Sequence, residues 1–402
     1  MTTKLFQLSR RALLAAGIAA GVSVAAAVTG TAPGTAQEDP IRIGLVAALS
    51  GQSAKSGEAI TRGLTIAIDE INASGGLLGG RQVELVSRDD ESNPSKGLLA
   101  ARELVQRQGV AALIGGLDTP VALAIVPFIN QAKVPFIDPW AAGTPITRNG
   151  AEENYAFRVS AVDAYVGEAL VEYAVKKHGT AKPGMILINN PWGESNEDAL
   201  TEALSSRGMS AVGIEKFETN DVDVVPQLTR LQQAGADTLF LVANVAPSSQ
   251  VVKSLDRMGW DVPIVSHWGP AGGRFSELAG PSGSKVHFIQ TFIFTEDASG
   301  KAADVLAKLK AKFPEIKDLA DVTPATGVAN AYDAMHLLAR AIENAGSVDG
   351  PAIRQGLYDI EEYEGLIKTY RKPFSPENQD ALGPDDYIFA NFVDGKILPL
   401  KD

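Results

Sequence analysis

The chain has 402 residues, 45% of them hydrophobic and 21% charged, and a formal net charge of −12. That length exceeds one ordinary core and predicts two domains. The charge excludes the basic face that nucleic acid requires, and the absence of cysteine excludes disulfides, thiolate metal sites and cysteine nucleophiles.

In chain order, Lys4, Arg10 and Arg11 precede an apolar stretch from Ala12 to Val28, and small residues lead up to Ala36. Residues 1–36 therefore read as an export signal cleaved after Ala36. Ser9-Arg10-Arg11 leaves Sec and twin-arginine export both open, and the stretch is short and rich in Ala and Gly for a membrane anchor. Ile41 to Val46 then predicts a strand, Leu64, Ala67, Ile68 and Ile71 a helix, and Val83 to Val86 a second strand. Strand, helix, strand implies a right-handed crossover in a parallel sheet, whose ligands lie beyond the carboxyl ends of the strands. The loop Ser50 to Ser56 is the first such end.

The alternation continues with a helix from Ser95 to Gln108, a strand from Val110 to Ile114, a helix from Thr119 to Gln131 and a strand from Val134 to Ile137. A short extended piece, Tyr155 to Val159, and a helix from Asp163 to Lys177 follow. A second set has strands at Met185 to Ile188, Val212 to Phe217, Thr238 to Val242 and Pro263 to Ser266. Its helices run from Glu194 to Ser206, Val224 to Gln233 and Ser248 to Met258. Two doubly wound α/β lobes are implied. The remainder, with a β-rich run from Val286 to Phe294, helices near 302–312, 327–344 and 352–358, an extended piece at 363–371 and a strand near 387–393, is expected to complete both lobes.

No nucleophile elbow, zincin motif or Walker loop occurs, and no histidine is spaced with carboxylates as a metal site. Trp140, Trp192 and Trp268 each follow directly after a predicted strand, in both lobes, and are expected to line a cleft where their faces stack a flat ligand or hold a cation. Trp260 reads as packing. His267 also falls at a strand end. Asp118, Thr119 and Asp138 stand after strands, as helix caps, as ligand contacts, or as both.

The run IRIGLVAALSGQSAKSGEAITRGLTIAIDEINASGGLLGGRQVELVSRDD, followed by ALIGG and VPFIDP, resembles the periplasmic leucine/isoleucine/valine-binding proteins of ABC importers. The resemblance implies a type I periplasmic binding fold with two lobes and three crossovers, near Arg158 to Ala161, Gln290 to Phe294 and Glu364 to Tyr370. Residues 37–159 with 292–364 would form the first lobe, and 160–291 with 365–402 the second. It also implies a non-enzymatic monomer without cofactor, whose closed form docks on ABC permease subunits in the periplasm; a periplasmic sensor is the alternative.

Carried over by position, the family's pocket falls on Ser56, Asp118, Thr119, Trp140, Ala141, Ala142, Trp192, Val245 and Trp268. Amino-acid binders hold the ligand carboxylate with hydroxyls and the ammonium with a glutamate. Here Ala142 stands in place of a hydroxyl, Trp268 in place of the glutamate and Gly327 in place of a bulky side chain. These departures point to an aromatic acid or amide; an aliphatic amino acid would need Asp118 or Asp138 to face its ammonium.

Overall fold

The structure is a computed structural model that describes residues 39–400; the export-signal reading of residues 1–36 lies outside them. The first strand, β1 (Ile41–Ala47), is buried on both faces, as a parallel strand covered by helices must be. Helix α1 (Ala54–Ala73) buries Ile60, Leu64, Ala67, Ile68 and Ile71, the three- and four-residue spacing of a single face. Then come β2 (Val83–Asp89), α2 (Pro94–Gln106), β3 (Ala112–Gly115), α3 (Thr119–Ala132), β4 (Phe136–Asp138) and β5 (Ala156–Arg158). They form a five-stranded parallel sheet in the order β2-β1-β3-β4-β5. The strand order reverses between β1 and β3, which opens a crevice at their carboxyl ends.

The second lobe repeats the device. It has α4 (Asp163–His178), β6 (Pro183–Ile188), α5 (Pro191–Ser205), β7 (Gly213–Phe217), α6 (Val225–Gln233), β8 (Thr238–Val242), α7 (Val245–Met258), β9 (Ile264–Ser266), the short α8 (Phe275–Ala279) and β10 (Val286–Gln290). Its reversal lies between β6 and β8. Helices α5 and α7 begin three residues earlier than the apolar spacing predicts; for α5 the cause is that Pro191 is tolerated in a first turn and Asn190 accepts from the backbone N–H of Trp192 and Gly193.

The chain then returns to the first lobe. The predicted strand through Phe294 stops at Gln290, beyond which Phe292 and Phe294 pack with the first core. Helices α9 (Gly300–Lys312), α10 (Ala325–Ala345) and α11 (Gly350–Tyr358) follow, and α10 lies directly on α1. A Cβ on Gly63 would stand 2.2 Å from the carbonyl oxygen of Val328, so only glycine permits this approach. The extended piece near 363–371 is a hairpin, β11 (Glu362–Glu364) against β12 (Thr369–Arg371).

The tail departs from the expected boundary. Tyr370, Phe374, Ala381 and Leu382 belong to the first hydrophobic core, whereas Ala390, Phe392 and Ile397 belong to the second. The third passage between cores therefore falls between Leu382 and Ala390, later than Glu364 to Tyr370. Two contacts hold the tail back: Phe374 meets Phe157 edge-on at 5.1 Å, and Asp380 meets Arg158. After it, β13 (Ile388–Val393) pairs antiparallel with β10 and, through a two-residue Asp394-Gly395 turn, with β14 (Lys396–Pro399), a strand the apolar pattern did not announce.

Arg158 has no exposed surface. Its Nε donates to Asp380 Oδ1 at 2.8 Å, and its other nitrogens reach Thr147 Oγ1 and the carbonyl oxygens of Ala141 and Gly143. Removing one partner of such a pair strands the other charge in a low-dielectric interior. Asp380→Ala is expected to cost about 3–5 kcal/mol in urea unfolding, whereas replacing the exposed partner in the Lys285–Asp261 pair should change little.

Candidate functional site

The carboxyl ends of β1, β3 and β4 in one lobe face those of β6, β8 and β9 in the other. Between them lie two small adjoining spaces, of about 20 and 10 Å³, that share Leu117, Trp140 and Asn244 as walls. The first is also lined by Asp118, Thr119, Pro120, Ala141, Ala142, Asn190, Trp192 and Trp268. The second is lined by Gln52, Ser53, Ser56, Val245, Ala246, Gly269 and Gly272. Spaces of this size hold about one water each and lie far below the ligand-site range that begins at about 300 Å³, so a ligand enters only when the lobes part.

The lobes touch across this space. Trp140 of the first and Trp268 of the second meet with ring centroids 5.3 Å apart and planes tilted by 33°. Ser56 Oγ donates to the carbonyl oxygen of Gly272 at 3.0 Å, and Asn244 Nδ2 donates to Asp118 Oδ1 at 3.2 Å. The conformation is thus closed over a small interior. Gly327 belongs to this geometry: a Cβ there would come within 3.1 Å of the Trp140 ring, so the indole uses the room a larger side chain would need.

Each indole has its own support. Trp192 Nε1 donates to Asp163 Oδ1 at 3.3 Å, and its carbonyl accepts from Asn196. Trp268 donates its backbone N–H to His267 Nδ1 at 2.7 Å, which leaves His267 Nε2–H to donate to the same Asp163 oxygen at 3.1 Å. One buried carboxylate thereby fixes two tryptophans, directly and through an imidazole. Trp140 is held by its carbonyl, which accepts from Ser160, and by its N–H, which donates to Asp138.

Two candidates from the sequence stand behind the cleft instead of lining it. Asp138 is fully buried beneath the loop it caps; its Oδ1 accepts from the N–H of Trp140 at 2.8 Å and of Ala141 at 2.7 Å. Burial pushes its carboxyl well up, against the pull of Arg158. His267 is likewise fully buried behind Trp192 and Trp268. Ser56, Asp118, Thr119, Trp140, Ala141, Ala142, Trp192, Val245 and Trp268 all border the two spaces. Sequence reading missed Asn190 and Asn244 as lining residues, although both stand at strand ends, and missed Asp163, read only as a helix start.

Among the described residues, Asp118 is the sole ionisable side chain bordering either space. Burial raises its pKa despite the polar groups of Ser92, Asn244 and Ser53 beside it. Its Oδ2 is buried without a hydrogen-bond partner of good geometry. Asp90, at the end of β2, is fully buried; burial, with the charges of Asp118 and Asp89, lifts its carboxyl to about 7. No cluster of three or more His, Asp or Glu among the described residues is arranged to hold a metal ion.

Two doubly wound sheets closing on an aromatic-walled cleft define a two-lobed binding protein. The model of the periplasmic binding protein family matches residues 40–391, and the chain belongs to that family. It is 27% identical over 362 residues, 90% of this chain and 94% of the relative, to a protein of Brucella melitensis described as a Leu/Ile/Val-binding protein homologue. A type 1 periplasmic binding protein from Bordetella pertussis superposes with a TM-score of 0.82 at 23% identity, covering 90% of this chain and 100% of that one. The LivJ substrate-binding protein of Streptococcus pneumoniae, solved with isoleucine, gives 0.77 at 26% identity over 89% and 97%. A solute-binding protein of Rhodopseudomonas palustris, solved with 4-hydroxybenzoate, gives 0.77 at 22% over 90% and 96%.

Asp90 supplies a pH signature at the end of β2, within the electrostatic reach of Asp118. Its folded value lies above the unfolded 3.8, so the native state binds the extra proton and stability falls as pH rises from 3.8 to about 7. Asp90→Asn keeps an acceptor for the Ser92 N–H and removes the titration. The variant is expected to melt higher than the parent at pH 8, with the gain vanishing near pH 4; a pH-independent difference would contradict the assignment.

Proposed function

We propose that the chain is the exported solute-binding component of an ABC importer, working in the periplasm as a monomer that captures a small ligand between its lobes and presents the closed form to permease subunits. Family membership supports binding and delivery over turnover. The observation that carries the reading is the set of three indoles, drawn from both lobes and individually braced, around one closed space.

Relatives named for leucine, isoleucine and valine, and neighbours solved with isoleucine or 4-hydroxybenzoate, bracket the possible ligands. The walls here favour neither a carboxylate nor a bulky aliphatic side chain. No Lys, Arg or His borders the space among the described residues, so a ligand carboxylate meets only Asp118 as a charge. A flat or compact ligand carrying nitrogen, an amide or amine, matches the carbonyl and carboxylate acceptors and the ring faces better. The aromatic acid is the less well matched of the two classes the sequence suggested.

Thermal shift and tryptophan emission on refolded, ligand-free protein test this. A ligand at a hundred times its dissociation constant stabilises the native state by about 2.7 kcal/mol, and one lying on the indoles also changes emission. Amides or amines are expected to do both, and leucine, valine and benzoate neither. Stabilisation by leucine or valine alone would restore the aliphatic amino-acid reading. Trp140→Ala should weaken the ligand at least thirtyfold, about 2 kcal/mol for a central aromatic anchor, whereas Trp260→Phe, away from the cleft, should leave affinity unchanged.

A further inference from the structure

A ligand cleft can hold an anion with cationic side chains or with free backbone N–H groups at helix starts. Here the cationic side chain nearest the wall loop is already committed. The guanidinium of Arg158 is shared among Asp380, Thr147 and the carbonyl oxygens of Ala141 and Gly143. Many of the backbone donors are committed too. The N–H groups of Trp140 and Ala141 go to Asp138, and that of Gly143 to Thr119 Oγ1. At the start of α3, Val121 and Ala122 donate to the carbonyl of Asp118; at the start of α5, Trp192 and Gly193 donate to Asn190. Even the indole N–H of Trp192 is used, by Asp163, so what that residue has left for a ligand is its ring surface.

Among the donors that remain are the first N–H groups of α7, at Val245 and Ala246, which no side chain caps; the wall of the first space offers the opposite polarity. Asp118 Oδ2 is buried and unpartnered at the cleft wall, opposite aromatic rings whose faces carry the negative side of their quadrupole. A lone buried carboxylate is costly until a positive charge meets it. The chain as a whole carries −12, which raises the concentration of cations near its surface.

We infer that the cognate ligand is a small organic cation, an alkylammonium or quaternary ammonium compound, seated against the indoles of Trp140 and Trp268 with Asp118 as its counter-ion. The inference rests on the reading of this cleft as the ligand site and narrows its nitrogenous ligand to one that is charged.

The test is calorimetric titration of the refolded, ligand-free protein at low salt with methylammonium, tetramethylammonium and choline. Benzamide, benzoate and the neutral carbon analogue of choline, in which tert-butyl replaces trimethylammonium, are titrated alongside. At least one cation is expected to bind, and the neutral analogue of choline at least thirtyfold more weakly than choline. Asp118→Asn should lower the cation's affinity at least tenfold while the variant still melts cooperatively. The choline pair on the unaltered protein gives the answer even if that variant fails to fold. Binding of benzamide or benzoate with all three cations silent would overturn the inference and leave the cleft as the ligand site. Equal binding of choline and its neutral analogue would overturn it in the same way. Silence of every probe would overturn both.

Discussion

A guanidinium with no exposed surface must be matched by charge and hydrogen bonds where it stands, and Arg158 sets that condition at the place where the lobes part. It ends β5, the last strand of the first sheet, and its partners come from three separate stretches: the loop carrying Trp140 to Gly143, Thr147, and the tail at Asp380. The loop that presents Trp140 to the cleft and the tail that completes the first core are therefore fastened to one group. Such a node confers geometry more surely than net stability, because the desolvation of the ions offsets much of their attraction.

The same economy governs the cleft. Asp138 and Asp163 are both buried carboxylates near the ligand space, yet both act on the protein, the first by holding the Trp140 loop and the second by bracing Trp192 and, through His267, Trp268. Asp118 alone is left facing the interior, with one oxygen tied across the lobes to Asn244 and the other unmatched. Walls in which aromatic surface is braced and the donors of the Trp140 loop and of the α5 start are spent suit a ligand that brings positive charge and asks for few hydrogen bonds there.

Much of this was legible because parallel β/α units put their binding residues in a predictable place. Strand runs such as Val110 to Ile114 and Thr238 to Val242 are almost wholly apolar, so their ends, and with them Asp118, Thr119, Trp140, Trp192 and Trp268, could be read directly. What the residues did not disclose is direction. Asp118 and Asp138 both follow strands, but whether a carboxylate turns to the cleft or back onto its own loop depends on the loop's dihedral angles, and only Asp138 closes onto the N–H groups two and three residues on. His267 is hidden for the same reason. The tail escaped because Tyr370, Phe374 and Leu382 show no helical or strand period and find the first core only through long-range contacts. The β13–β14 hairpin, by contrast, had a signal in plain sight: Asp394-Gly395, both at positive φ, is the pair that a tight two-residue turn requires.

The central claim, that the indole-walled space beside Asp118 is the ligand site, is tested most directly by a crystal structure of the mature protein purified from its native host without refolding, so that any resident ligand is retained. The account predicts electron density for a compact, nitrogen-bearing molecule among Trp140, Trp192 and Trp268, with a positively charged atom against Asp118 Oδ2. Density for a ligand elsewhere, with these rings packed on one another and nothing between them, would contradict it.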